Sequence, residues 1–467
     1  MENVTELMIK QWVEQQQAYY ESGETRNVQF RIQQLKKLKQ AIVQHENSIL
    51  EALHLDLRKS RTEGYASELG LVLYSISHMI KNLHRFAKPK KVRTPLPLFG
   101  TSSYIVSEPY GSVLIIGPFN YPASLILEPL VAAISSGNCA IVKPSEYTPN
   151  VTAALKNLIT ETFDPQYVRL VEGAQQETSW LIHAPFDYMF FTGSTKVGKI
   201  VMKAAAERLI PVTLELGGKS PVIVDQTAKI EIAAQRVVWG KLLNNGQTCI
   251  APDYILVHQS IYKSFMKSVI KAIHQFYTDN PMESEDYGRI VSDMHFLRLK
   301  AMLDNIDKHY IYGGRYDEQQ RYISPTFLDG GTCKQPVTLK AMQEEVFGPI
   351  CTVIQYDSLS EAIAFIKQYD KPLALYVFTE DAAVEKRIVD SVSFGGGCIN
   401  DTLSHYINNE LPFGGVGPSG IGAYHGKHSF EQFSHRKSIL KRTTLLEPGI
   451  LFPPYKDKLK LLKKVLK

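Results

Sequence analysis

Cys249 closes the segment Asn244-Asn245-Gly246-Gln247-Thr248-Cys249, a polar turn that carries a glycine. A thiol in such a turn can be exposed and activated as a thiolate, which makes it a candidate nucleophile. Cys139, Cys351 and Cys398 read instead as inert core thiols. None of the five cysteines forms a CxxC pair, and the odd number argues against a disulfide framework and offers no zinc site. A cysteine-protease pairing would need a partner histidine, and none of the thirteen histidines stands in a telling context.

Glu215, in Thr213-Leu214-Glu215-Leu216-Gly217-Gly218-Lys219, ends an otherwise apolar run. A carboxylate there is expensive to bury, and the two glycines permit close approach of a ligand. The combination suits a general base of raised pKa; an ion pair with a nearby lysine fits the same residues. Asn120 lies between Pro118 and Pro122. Its amide could donate to a developing oxyanion or cap the helix that follows. Lys143 and Glu146 leave a strand end together and could reach ribose hydroxyls; taken alone, the segment favours a solvated lysine and a helix-start glutamate. In Phe191 to Gly198, Gly193 and Ser194 precede a helix, where backbone N–H groups are free for a pyrophosphate. Glu345 and Phe347 place an acid and an aromatic on a loop beside a Gly-Pro turn. The literal GxGxxG at Gly415 to Gly420 has only 47 residues after it, too few for a nucleotide-binding half, and reads as a tight loop at an active site or interface.

These residues need a scaffold, and the apolar pattern supplies one. Runs at 113–116, 139–142, 167–171, 187–191 and 211–216 each fit a short buried strand. The intervening segments are long enough for helices, as in the apolar Ala123 to Ser136 and the alanine-rich Lys196 to Arg208. Five strands alternating with helices predict an α/β fold with a doubly wound parallel sheet, whose ligands bind beyond the carboxyl ends of the strands. The candidate residues lie at those ends. The alternation recurs less cleanly around Pro252 to His258, Ile350 to Ile354 and Leu373 to Phe378, which predicts a second α/β domain. Upstream, Leu35, Leu38, Ile42, Ile49 and Leu53 form a helical stripe within Arg31 to Leu57, and a Lys- and Pro-rich stretch follows from Lys88 to Pro97.

Composition narrows the function. The 467 residues are 44% hydrophobic and 21% charged, enough apolar surface for sizeable cores and against disorder. No apolar run approaches the roughly 20 residues of a membrane span, and the acidic start, Met1-Glu2-Asn3-Val4, has no signal-peptide pattern. The net charge is +5, and Tyr455 to Lys467 alone carries six lysines and one aspartate. The basic excess is therefore a tail rather than a folded face, which argues against nucleic acid as a partner. As a helix this tail would be short, basic and amphipathic, suited to an anionic membrane surface; a solvated or subunit-packed tail is the alternative.

Together, PFNYP (118–122), KPSE (143–146), FTGSTKVGK (191–199), LELGGKSP (214–221), GQTC (246–249), EEVFGP (344–349) and PFGGVGPSG (412–420) resemble the aldehyde dehydrogenase superfamily over about residues 1 to 455. The short N-terminus, NYP at 120–122 and PPY at 453–455 resemble its class 3 branch, of fatty and aromatic aldehyde dehydrogenases. The resemblance implies NAD(P)-dependent oxidation of a medium- or long-chain aliphatic or aromatic aldehyde to the acid. Cys249 would be the nucleophile and Asn120 the oxyanion donor, while Glu215 would activate the water that hydrolyses the thioester. Lys143 and Glu146 match the adenosine-ribose contacts, and Gly193, Ser194 and Gly198 the pyrophosphate turn. Glu345 and Phe347 match the nicotinamide-ribose clamp. Glu146 should repel a 2′-phosphate, so NAD is expected to be preferred and NADP tolerated; no metal is implied. A CoA-acylating relative would usually lack the glutamate, and a structural protein on this fold could lose the nucleophile; both residues are present. The implied layout is a dinucleotide-binding domain (1–88 and 110–217), a catalytic domain (218–412), an oligomerisation arm (89–109 and 428–445) and the basic tail (453–467), in a cytoplasmic homodimer with peripheral membrane contact through the tail.

Overall fold

The computed structural model describes residues 4–304, 306, 309–335, 337–445, 449 and 452–466. Five parallel strands form the first sheet: β1 (Ser112–Ile116), β2 (Cys139–Lys143), β3 (Val168–Leu170), β4 (Tyr188–Thr192) and β5 (Val212–Glu215). They lie in the order β5-β4-β1-β2-β3. Every residue of β1, β2 and β4 is buried, as expected of a parallel sheet covered by helices on both faces. The chain winds outward from β1 to β3, then returns to lay β4 on the other side of β1. This puts the switch point of the winding at the carboxyl ends of β1 and β4, where open α/β sheets bind ligands. Helix Ser124–Ser136, buried at every position, covers the sheet directly after β1.

The five apolar runs of the sequence become these five strands. The stripe over Arg31 to Leu57 resolves into two helices, Val28–Gln44 and Glu46–Leu57. His45, at φ −93° and ψ 4°, breaks them. The apolar spacing runs on across the break, and Leu35, Leu38, Ile42, Ile49 and Leu53 are all buried, so the pattern reads as one helix although the backbone makes two. The GxGxxG segment adds a short strand, Gly420–Ile421, antiparallel to β5 with Gly420 opposite Glu215.

A second sheet contains β6 (Pro221–Val224), β7 (Tyr254–His258), β8 (Tyr310–Tyr312), β9 (Thr326–Thr332), β10 (Ile350–Tyr356), β11 (Ala374–Phe378) and β12 (Gly396–Ile399), in the order β8-β9-β10-β7-β6-β11-β12. Only the β8–β9 pair is antiparallel. Residues 216–220 carry the chain from β5 to β6, so the Gly217-Gly218 link is the joint between the two sheets. Cys139 and Cys351 are buried on β2 and β10, as expected of core thiols. Cys398 on β12 corrects the expectation: it is half-buried, with its Sγ 3.4 Å from His405 Nδ1. A third, antiparallel sheet joins Lys90–Val92, Thr101–Pro109 and Ser434–Arg442, the last two in register from Thr101 opposite Arg442 to Pro109 opposite Ser434.

Candidate active site

The turn before Cys249 is built by three successive left-handed residues: Asn244 (φ 50°), Asn245 (φ 57°) and Gly246 (φ 72°). Asparagine tolerates this region better than most side chains. Gly246 is required twice over, because a Cβ there would also overlap the Gly348 carbonyl. Gln247 then fixes the strand of chain that delivers the thiol. Its Nε2 donates to Arg289 O (3.0 Å), and its Oε1 accepts from Val291 N (3.0 Å). Asn244 Nδ2 donates to Asn120 O (2.7 Å), which ties this turn to the end of β1.

Asn120 is buried, and its Nδ2 donates to Gln247 O at 2.9 Å. A primary amide has two protons, so one remains for another acceptor. The helix-cap alternative is excluded. The Ala123 and Ser124 N–H groups at the start of the helix donate to Glu68 Oε2 at 2.8 and 3.1 Å. The other oxygen of Glu68 accepts from Lys59 Nζ (2.6 Å), and Lys59 Nζ also donates to Asn120 O (3.0 Å) and lies 4.0 Å from the centre of the Tyr121 ring. Tyr121 in turn shares a 2.8 Å hydrogen bond with Thr248 Oγ1. Lys59 and Glu68 escaped the sequence reading because they stand more than 50 positions before the residues they hold; a lysine and glutamate in helical context read as surface charges.

Glu215 is 3% exposed, and neither carboxylate oxygen has a hydrogen-bond partner among the described residues. The ion-pair alternative does not occur, because Lys219 pairs with Asp253 and also donates to Ala341 O and Glu344 O. Burial therefore raises the Glu215 pKa well above the usual carboxylate range. The Cys249 thiol is pushed up to about 12, first by burial and then by the charges of Glu345 and Glu215; the N–H groups of Cys249 and Ile250 pull it back. Cys249, Glu215, Tyr121 and Tyr424 line one cavity of about 670 Å³, within the usual range of roughly 300–1,000 Å³ for ligand sites.

The dinucleotide candidates lie outside the lining of this cavity. At the end of β2, Lys143 Nζ lies 3.0 Å from Glu146 Oε2, so the pair is neutral as a unit. The Gly193 N–H is not free, as the sequence suggested, but donates to Glu215 O at 3.0 Å. Ser194 is the N-cap of helix Thr195–Ala206, and its Oγ accepts from Val197 N. The donors open to a phosphate are the Thr195 and Lys196 N–H groups at the helix start, Val197 N–H and Gly198 N–H being taken by Ser194. A Cβ at Gly198 would run into Leu216, so this glycine lets helix and sheet close up. The Glu345 carboxylate lies against Gly217, where any side chain would overlap it. Burial pushes its pKa up to about 8, against a hydrogen bond from Gly218 N–H. Phe347 (φ 49°) packs edge-on against Phe119, with ring centres 5.7 Å apart. Arg298, unnoticed in the sequence, steadies this loop by donating to Glu345 O and Val346 O. A helix start with open N–H groups, an ion pair at a strand end and an aromatic pair near a sheet switch point fit NAD(P).

The site so defined holds a half-buried thiol and, among the described residues, an unpaired carboxylic acid at the joint of two α/β sheets. The aldehyde dehydrogenase family model matches residues 1–439. The chain is 52% identical to 4,4'-diaponeurosporen-aldehyde dehydrogenase of Staphylococcus aureus over 98% of its length and 99% of that protein's. It is 44% identical to the rat dimeric NADP-preferring aldehyde dehydrogenase, over 96% and 98% of the two chains. The solved substrate-bound state of Staphylococcus aureus AldH superposes with a TM-score of 0.95 at 52% identity, covering 98% of this chain and 99% of the other. The chain belongs to the aldehyde dehydrogenase family, in its class 3-like branch: it is an NAD(P)-dependent enzyme that oxidises aldehydes.

Proposed function

We propose that Cys249 and Glu215 carry the chemistry of a hydrolytic aldehyde oxidation, and that the substrate is a medium- or long-chain aliphatic or aromatic aldehyde. The observation that supports this most is Glu215: a buried acid without a hydrogen-bond partner among the described residues, sharing a cavity with the thiol. Because burial keeps the thiol protonated at neutral pH, a base must take its proton as the S–C bond forms, and Glu215 is the unpaired acid beside it. The sulfur adds to the carbonyl carbon, and the resulting oxyanion receives the second amide proton of Asn120 and the Cys249 N–H. NAD(P), when bound, supplies the hydride acceptor that converts the thiohemiacetal into a thioester. Once Glu215 has passed that proton to solvent, it takes a proton from water as the water attacks the thioester and returns it to the departing sulfur, which releases the acid and restores the thiol.

Lys143 and Glu146 hold the adenosine ribose, the helix start at Ser194 the pyrophosphate, with Gly193 and Gly198 shaping that turn, and Glu345 and Phe347 the nicotinamide ribose. Neutralisation of Glu146 by Lys143 softens its repulsion of a 2′-phosphate, so NAD is preferred and NADP tolerated. The dinucleotide domain comprises 1–88 and 110–217, and the catalytic domain 218–412. The sheet built from 89–109 and 428–445 is a dimer arm, and the tail from 453 touches membrane from the cytoplasmic side. The test is NADH formation across straight-chain aldehydes of increasing length, without CoA, with Cys249→Ala as blank. Rates that rise with chain length and vanish in the variant are expected. Activity only after addition of CoA would remove the hydrolytic role from Glu215.

A further inference from the structure

The cavity that holds the thiol is acidic. Its lining includes Glu63, Glu215 and Asp286 and, among the described residues, no lysine, arginine or histidine. Glu63 stands on the helical turn Arg61–Gly64, and its Oε1 accepts from Asn244 N at 2.9 Å, which anchors it to the turn before Cys249. Asp286 is exposed, as are Trp239 and Ile407 of the same lining, so these three mark the mouth. The cation nearest Glu63 in the hydrogen-bond network is Lys59, whose ammonium is buried and already committed to Glu68 and the Asn120 carbonyl. Burial raises Glu63 to about 7 and the charge of Asp286 adds to that rise, while Lys59 draws it down. An anion entering this channel meets negative charge with no counter-charge, in walls that are otherwise largely apolar and focus the field.

We propose that Glu63 and Asp286 form an acidic collar on the aldehyde channel. The collar admits aldehydes whose chain is neutral or cationic, rejects those carrying a second carboxylate or a phosphate, and hastens departure of the carboxylate product. The inference rests on the cavity being the aldehyde channel of the reading above. It is specificity by repulsion rather than by a new attraction, and it leaves the reacting atoms untouched.

The experiment compares kcat/KM at pH 8.5 and low ionic strength for three aldehydes of equal length: an alkanal, its ω-carboxy analogue and its ω-trimethylammonio analogue. Wild type, Glu63→Gln, Asp286→Asn and the double variant are used as full chains with NAD. The readout is the ratio of charged to neutral substrate within each protein, which cancels any loss shared by all substrates. In wild type the ω-carboxy analogue is expected to be at least a hundredfold poorer than the alkanal, and the cationic one comparable to it. In the double variant the penalty on the anion should fall at least tenfold, and the carboxylate product should inhibit several-fold more tightly. Added salt should weaken the discrimination in wild type. Asp286→Asn, an exposed change that folding tolerates, should alone shift the ratio about threefold. Equal ratios in wild type and double variant, or wild-type turnover of the ω-carboxy analogue at the alkanal's rate, would overturn the collar. Alkanal oxidation that survives Cys249→Ala would overturn the reading of the channel itself, which is a separate result.

Discussion

Glu215 shows most clearly how one residue's surroundings decide its chemistry. Its folded pKa is raised by burial, so the native state holds the proton more tightly than the unfolded chain does. The corresponding stability is fully present below the unfolded carboxylate pKa of about 4.3 and is lost as pH rises through the raised folded value. Glu215→Gln should therefore match wild type near pH 4 and exceed it by about 1–3 kcal/mol at pH 8, measured by denaturant unfolding at both pH values. Thioester hydrolysis in the same variant should fall by about 10²–10⁴-fold, and in wild type it should climb with pH through the neutral range. A variant no more stable than wild type at pH 8 would mean that Glu215 has a partner. The residue was legible in the sequence as an acid ending an apolar run, and so was Cys249 as a thiol after a polar turn. The sequence could not say that Lys219 is taken by Asp253, 34 positions on, nor that the turn after the Cys398 strand brings His405 back against the thiol, because neither contact leaves a periodic signature.

At the scale of elements, helix Ser124–Ser136 places Asn120 through a residue that lies outside the helix altogether. Glu68 takes the first N–H groups of the helix and the ammonium of Lys59, and Lys59 holds the Asn120 carbonyl. Glu68→Ala leaves Lys59 buried and uncompensated, at a cost of about 3–5 kcal/mol, in addition to the lost cap. Denaturation midpoints should show that loss, and kcat should fall with it as Asn120 loses its anchor. Lys59→Met together with Glu68→Gln removes the unpaired charge and should recover much of the stability but less of kcat. If the double variant were as unstable as Glu68→Ala, the loss would lie in packing rather than charge. The strands β1 to β5 were legible because continuous apolar runs mark parallel strands buried on both faces. The break at His45 was not, since the stripe of buried residues continues across it, and no local signal announces a capping glutamate 55 positions away.

At the scale of the whole molecule, two features reach beyond the sheets. The strand Ser434–Arg442 is one of the two outer strands of the three-stranded sheet, and the turn beside its partner strand exposes Leu96 (84%) and Phe99 (74%). Large apolar side chains projecting next to an open strand edge fit a second copy of the chain. Leu96→Asp with Phe99→Asp should convert a dimer into a monomer by light scattering, and a monomeric wild type would remove the arm's role. The sequence located this arm only through resemblance, because a short charged strand has no apolar signature of its own. The tail is the second feature. Its helix, Leu459–Val465, has seven residues, about 10 Å at 1.5 Å per residue, so it can lie on a bilayer but not cross the roughly 30 Å apolar core. Leu459 and Leu466 are exposed. Lys458 is spent on the Gly449 and Phe452 carbonyls, which leaves Lys456, Lys460, Lys463 and Lys464 among the described tail lysines for other partners. At about 1 kcal/mol per lysine near an anionic surface, their attraction is large at low salt and screened at high salt. Deleting 456–467 should lower co-sedimentation with phosphatidylserine vesicles at least tenfold in 0.1 M salt and make little difference in 0.5 M. It should also slow turnover of a long-chain aldehyde delivered in those vesicles while leaving a short, water-soluble aldehyde unaffected. Unchanged sedimentation would assign the lysines to solvent or to the partner subunit, and the long-chain preference would then rest on the cavity alone.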